Sequence, residues 1–132
     1  MRYITAKKLE KWDACGSQIE LFKELFDDRA SLTIKSLQRA FRHGIDLTYP
    51  LDHAIGPASD YFRTRDAELK RLYPEIYIRS QGCACGQCVD VRAQILEDPE
   101  FFREFAEEYL DILQEFLEQE DNGLVTIIGS PF

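Results

Sequence analysis

At 132 residues, 45% of them apolar, the chain is long enough to bury one substantial core and too apolar to be a disordered segment. Its net charge of −8 argues against a nucleic-acid-binding or acidic-membrane-binding protein, and no apolar run approaches the length of a bilayer span. The opening residues Met1-Arg2-Tyr3-Ile4-Thr5-Ala6-Lys7 lack the apolar stretch of a signal peptide, so the expected setting is the cytoplasm, with the four cysteines reduced.

The first half reads as short helices with clear punctuation. Thr5 is placed to cap a first helix carrying Leu9 and Trp12, ending near Cys15-Gly16. Cys15, following Trp12, reads as a buried core thiol. Ser17-Gln18-Ile19-Glu20 has the spacing of a capping box and opens a second helix with Ile19, Phe22, Leu25 and Phe26 on one stripe. Asp27-Asp28-Arg29 ends it. Thr33 caps a third helix with Ile34, Leu37, Ala40 and Phe41 inward, closed by His43-Gly44, where His43 suits the negative end of the helix dipole. Asp46 or Thr48 begins a fourth, shorter helix with Pro50 in its first turn, and Gly56-Pro57 follows.

The middle is less regular. Ser59 is placed to cap a helix to about Tyr73, with Tyr61, Phe62, Leu69, Leu72 and Tyr73 as its apolar side, and Pro74 stops it. Residues 76–79 read as a short strand and Ser80 to Cys88 as a Gly- and Cys-rich loop. Asp90 caps a small helix through Leu96. Residues 124–128 are the other strand, and the two short runs are expected to pair as a minimal sheet leaning on helices. There is no internal repeat.

The strongest pattern lies between Asp98 and Asp121. Asp98 can accept the free amides of a first turn, and Pro99 at the first helical position loses no hydrogen bond. Phe102, Phe105, Tyr109, Ile112 and Phe116 step by three and four, and Phe101, Ala106, Leu113 and Leu117 widen the stripe. Asn122-Gly123 ends the helix. The opposite face carries Glu100, Glu104, Glu107, Glu108, Asp111, Glu115 and Glu118. From Glu97 to Asp121 there are 11 acidic residues against the single Arg103, whereas residues 1–96 sum to +2. The charge therefore belongs to one helix. Like charges on adjacent turns cost a few tenths of a kcal/mol each, about an order of magnitude less than one buried aromatic contributes. Folding tolerates such a face without requiring it. It is either a solvated surface or a docking surface for a basic groove, since spaced carboxylates can occupy a site built for phosphates.

Gly82-Cys83-Ala84-Cys85-Gly86-Gln87-Cys88 is the most unusual local sequence. Three thiols in six residues can chelate zinc, with Cys15, His43 or His53 as a fourth ligand. Cys85-Gly86-Gln87-Cys88 also has the strand, Cys-x-x-Cys, helix order of a thioredoxin-like redox site, without the βαβ context such a site needs. The third alternative is a tight loop of small residues. Acid–base catalysis by the carboxylates is not expected, because nothing in the pattern buries them. There is no zinc-protease, phosphate-loop or nucleophile-elbow motif.

Ile4-Thr5, Leu9, Ala14-Cys15 and Phe22, followed by Leu32-Thr33, Leu37 and Ala40, resemble the helical N-terminal module of small bacterial and bacteriophage open reading frames, over residues 4–45. The resemblance implies a helical N-terminal half and a phage or mobile-element setting, and brings no catalytic residues. The expectation is one mainly α domain, a small helical bundle with at most the 76–79/124–128 two-stranded element. It comprises a short-helix module (1–56) and a second part (57–132) holding the Cys-rich loop, the acidic helix and the last strand. The expected function is non-enzymatic binding to the basic surface of another protein, as an anti-CRISPR-like inhibitor of a nucleic-acid-binding or defence complex. A zinc or thiol-redox protein using Cys83, Cys85 and Cys88 is the alternative.

Overall fold

The computed structural model describes residues 2–79 and 86–128, with the backbone alone for 77–79, 86 and 88. The fold is mainly α. Among the described residues it comprises eight helices and two antiparallel two-stranded sheets.

Strand β1 (Tyr3–Thr5) pairs with β2 (Arg29–Ser31), setting Ile4 opposite Ala30. Helices α1 (Ala6–Lys11) and α2 (Gly16–Phe26) fill the connection. The Thr5 side chain accepts the Lys8 amide at 3.1 Å, and the Thr33 side chain accepts the Ser36 amide at 3.2 Å at the start of α3 (Ile34–Arg42), as their sequence positions predict. The Ser17 capping box does not form. Helix α2 begins at Gly16 with Cys15 in the cap position, so Ser17 stands inside the first turn with its hydroxyl 3.1 Å from the Cys15 sulfur. Cys15 is exposed rather than buried, because the cap position turns it away from the core.

Helix α4 (Tyr49–Asp52) follows Thr48, whose amide and hydroxyl both donate to Asp46 at 2.9 and 2.7 Å. Helix α5 (Ser59–Leu72) has Ala58 at its cap. Ser59 is the first helical residue and donates its hydroxyl to the Gly56 carbonyl at 2.8 Å, so it is not the capping acceptor the sequence suggests.

Residues 76–79 are not a strand. Pro74 opens a further helix, α6 (Pro74–Arg79), rather than merely ending α5, and Ile76 is fully buried from it. Pro at a first helical position and the burial of Ile76 outweigh the β preference of a short Ile-Tyr-Ile run. The C-terminal run does form a strand, β4 (Thr126–Ile127), but its partner is β3 (Ala54–Ile55), with Ala54 opposite Ile127. Gly56 permits this pairing: its φ is +117°, and a Cβ there would stand 3.0 Å from the Leu124 carbonyl oxygen. Helix α7 (Gly86–Glu97) starts before Asp90, which lies inside it rather than at its cap.

Helix α8 (Pro99–Asp121) is unbroken, with the Asp98 side chain accepting the Phe101 amide at 3.1 Å. It buries Phe102, Phe105, Ala106, Tyr109, Leu110, Ile112, Leu113, Phe116 and Leu117. These residues span a face of roughly 160° at about 3.6 residues per turn, close to half the helix. The surrounding elements meet it ring by ring. Phe41 of α3 lies 5.6 Å from Phe102, Tyr73 lies 5.5 Å from Phe105, and Phe62 of α5 meets Phe116 edge-on at 5.3 Å. Trp12 covers the same Phe116 ring from the N-terminal side at 6.2 Å. Each such ring contributes about 1.5–3 kcal/mol on burial, so α8 is the element the others are packed around.

Candidate functional site

The outward face of α8 carries the carboxylates that the sequence singles out. Glu100, Glu104, Glu107, Glu108, Asp111 and Glu118 are exposed, and Glu115 is half-buried. They cover about 27 Å of helix at ~1.5 Å per residue, directly opposite the buried stripe. Two of the seven have cationic neighbours. Glu115 lies 3.5 Å from Arg65 and accepts the Tyr61 hydroxyl at 3.4 Å, and Glu107 lies 3.7 Å from Arg103 one turn back. Among the described residues, Glu100, Glu104, Glu108, Asp111 and Glu118 have no ion pair. Glu108 and Glu104 also act on Tyr73. Burial first, then these two charges and a hydrogen bond to Glu108, hold the Tyr73 hydroxyl above its usual range.

The C-terminal end of the same helix behaves differently. Glu120 takes the Trp12 indole N–H at 2.5 Å and Lys8 Nζ at 2.7 Å, and Asp121 takes Arg2 at 2.9 Å. A carboxylate at a helix C-terminus faces the negative end of the dipole, so these two need the cations supplied by Arg2, just before β1, and by Lys8 of α1. Arg2 and Lys8 accordingly hold the Asp121 carboxyl below the usual range.

Two polar groups that the sequence reading passed over are buried. Asp66 is 2% exposed on α5, on the same stripe as Phe62, Leu69 and Tyr73. Lys70, one turn later, reaches both Asp66 at 2.9 Å and Asp52 of α4 at 2.6 Å. Burial, and then the hydrogen bond and charge of Asp52, push the Asp66 carboxyl up to about 7, while Asp52 is held below its usual range by its hydrogen bonds to Asp66 and Lys70 in spite of its own burial. The pair therefore shares a proton near neutrality. Its available sequence signal was a single aspartate on an apolar stripe with lysine four residues on. The second group is Arg92 of α7, 1% exposed, with its guanidinium 3.5 Å from where a Cβ of Gly44 would stand. That position, at the end of α3, suits a cation.

Cys83 and Cys85 lie outside the described residues. The backbone of Cys88 is in the first turn of α7, and its side chain too lies outside them. The strand that a thioredoxin-like arrangement needs before the cysteines is helix α6 instead, which removes the order that suggested a redox site. Of the fourth-ligand candidates, His53 stacks on Tyr49 at 4.6 Å with Nδ1 3.1 Å from the Tyr49 carbonyl, and His43 is the C-cap of α3. Cys15 sits at the start of α2. Hydrogen bonds from the Ser17 hydroxyl and from the Ser17 and Gln18 amides hold its thiol below the usual range. Among the described residues, no three His, Cys, Asp or Glu side chains gather as a metal would need, and no helix is long and apolar enough to cross a membrane. Comparison with protein-family models, curated proteins and solved structures finds no match, so the surface is read from its own chemistry.

Proposed function

We propose that this chain is a non-enzymatic binding protein that docks the outer face of α8 into the basic groove of another protein. Such a groove is built for phosphates, so the docked helix excludes nucleic acid from it, as a phage-encoded inhibitor of a nucleic-acid-binding or defence complex does. The observation that supports this reading is the row of five carboxylates (Glu100, Glu104, Glu108, Asp111 and Glu118) with no cation paired to them among the described residues, on a rod whose other side is committed to the core. A rigid row costs little ordering entropy on binding, and its oxygens match guanidinium and ammonium donors. Because the contacts are electrostatic, association is fast at low salt and weakens as ionic strength rises.

Partners retained on the immobilised protein at low salt are expected to elute with rising salt and to be displaced by duplex DNA. They are expected to be lost from the fourfold variant Glu104→Lys, Glu108→Lys, Asp111→Lys, Glu115→Lys, whose helical circular dichroism should match that of the starting protein. Retention of the same partners by the folded variant would refute the proposal.

A further inference from the structure

A cavity of about 310 Å³ lies between the β1–β2 sheet, α2, α3 and α8. The buried apolar residues of the molecule fall into two clusters, the main core around α8 and a satellite of Ala6, Phe22 and Ala30. Ile4, Leu9, Phe26 and Ile45 are only partly buried and touch both clusters, and all four line the cavity. The hole is thus the gap between two pieces of apolar core. Much of its remaining wall is apolar, with Trp12, Phe22, Tyr49, Leu110 and Leu113, while Ser31, Thr33, Ser36 and His53 also line it. It is about twice the ~150 Å³ apolar cavity that takes up benzene, and it falls within the size range of small-molecule sites.

One edge of the cavity is polar and held in place. Gln18 accepts the Asp46 amide at 2.8 Å and donates to the Gly44 carbonyl at 3.3 Å, while the Asp46 carboxylate is oriented by the Thr48 amide and hydroxyl. Asp46 is the carboxylate in the wall, and no lysine or arginine lines the cavity. An anionic ligand would meet this carboxylate with no lysine or arginine to balance it, in a chain of net charge −8, and the one imidazole in the wall, His53, is already engaged through Nδ1 with the Tyr49 carbonyl at 3.1 Å. A ligand with a flat apolar body and an N–H or ammonium head would fill the gap and offset the Asp46 charge.

We propose that this cavity binds a small aromatic molecule of about bicyclic size with an amine or ring N–H group directed at Asp46. The site is separate from the acidic face, because it opens on the buried side of α8.

The test uses three probes on the intact chain in about 0.3 M salt, where weak attraction to exposed carboxylates is screened: 1-naphthylmethylamine, 1-naphthoate and decanoate. Isothermal titration is expected to show saturable one-to-one binding of the amine, at least about tenfold tighter than the naphthoate and tighter than decanoate. Resonances of Trp12, the chain's single tryptophan, should shift on binding. Ala40→Leu, from the α3 wall, fills the space and is expected to abolish binding, with Ser36→Phe as a second filling variant should the first fail to fold. Asp46→Asn is expected to keep ring binding and erase the preference for amine over carboxylate. Absence of saturable amine binding, equal binding by a folded filling variant, or tighter binding of decanoate would each overturn the proposal.

Discussion

Carboxylates on one helix meet two fates. At the C-terminal end of α8, Glu120 and Asp121 are taken up by Lys8, Arg2 and the Trp12 indole, and so fasten the N-terminal module to the core. Along the outer face, Glu100, Glu104, Glu108, Asp111 and Glu118 have no cation paired to them among the described residues, and Glu108 meets only the neutral Tyr73 hydroxyl. The residue type is the same and the helix is the same. What differs is whether the folded chain places a cation opposite. A run of acidic residues therefore mixes structural and available charge, and only the second kind can serve a partner.

The comparison can be tested from the heaviest intervention down. Phe116→Ala removes the ring that Trp12 and Phe62 both cover, and should destabilise the protein by about 3–5 kcal/mol in urea unfolding. An effect near zero would mean that α8 is not the packing centre. Asp66→Asn addresses a carboxyl that is buried rather than exposed. The folded chain keeps the Asp66 proton up to about pH 7, whereas an unfolded chain releases it near pH ~4, so the stability from this group is full below about pH 4, falls as pH rises between the two and is gone above 7. Asp52 has the opposite sense, since its lowered carboxyl loses stability only as pH falls below the ordinary carboxylate range. Asn can still donate to Asp52. The variant should therefore be more stable than the parent at pH 8, by on the order of a few kcal/mol, with little difference at pH 4. Equal urea midpoints at pH 8 would remove the shared proton from the account.

Glu120→Gln keeps an acceptor for Trp12 but strips the charge opposite Lys8, and should cost roughly 1–3 kcal/mol. Glu104→Gln and Glu108→Gln, on the outer face, should shift stability by no more than about 0.5 kcal/mol, and upward if at all, because like-charge contacts are relieved. The contrast between these last variants is the direct measure of structural against available charge. Equal losses at Glu120 and Glu104 would collapse the distinction.

Much of the fold was legible because its signals are local. Thr5, Thr33 and Asp98 cap the helices they precede, and Gly123, with φ +75°, follows the long helix where the Asn-Gly pair predicts its end. The local signals that misled were those with a competing use. Ser17 and Ser59 have capping chemistry but lie one or two residues inside their helices. Residues 76–79 have strand composition, but Pro74 and the burial of Ile76 make them helical. The acidic face was legible as a surface, while the assignment of Glu115 to Arg65 and Glu107 to Arg103 within it was not. The cavity and the Asp52–Asp66–Lys70 cluster had almost no signal, since each is assembled from segments far apart in the chain.

The sequence alone determined that α8 exists, where it starts and stops, which side is greasy and which is acidic. Those properties follow from a 3.6-residue period and from side chains acting on their own backbone. Only the tertiary structure decided that β4 pairs with Ala54–Ile55, that Asp66 holds a proton beside Asp52, and that Glu120 is spent on Trp12 and Lys8 while Glu104 is not. Pairing, burial and desolvation depend on what the rest of the chain brings within a few ångströms, and residues remote in sequence carry no local mark of it.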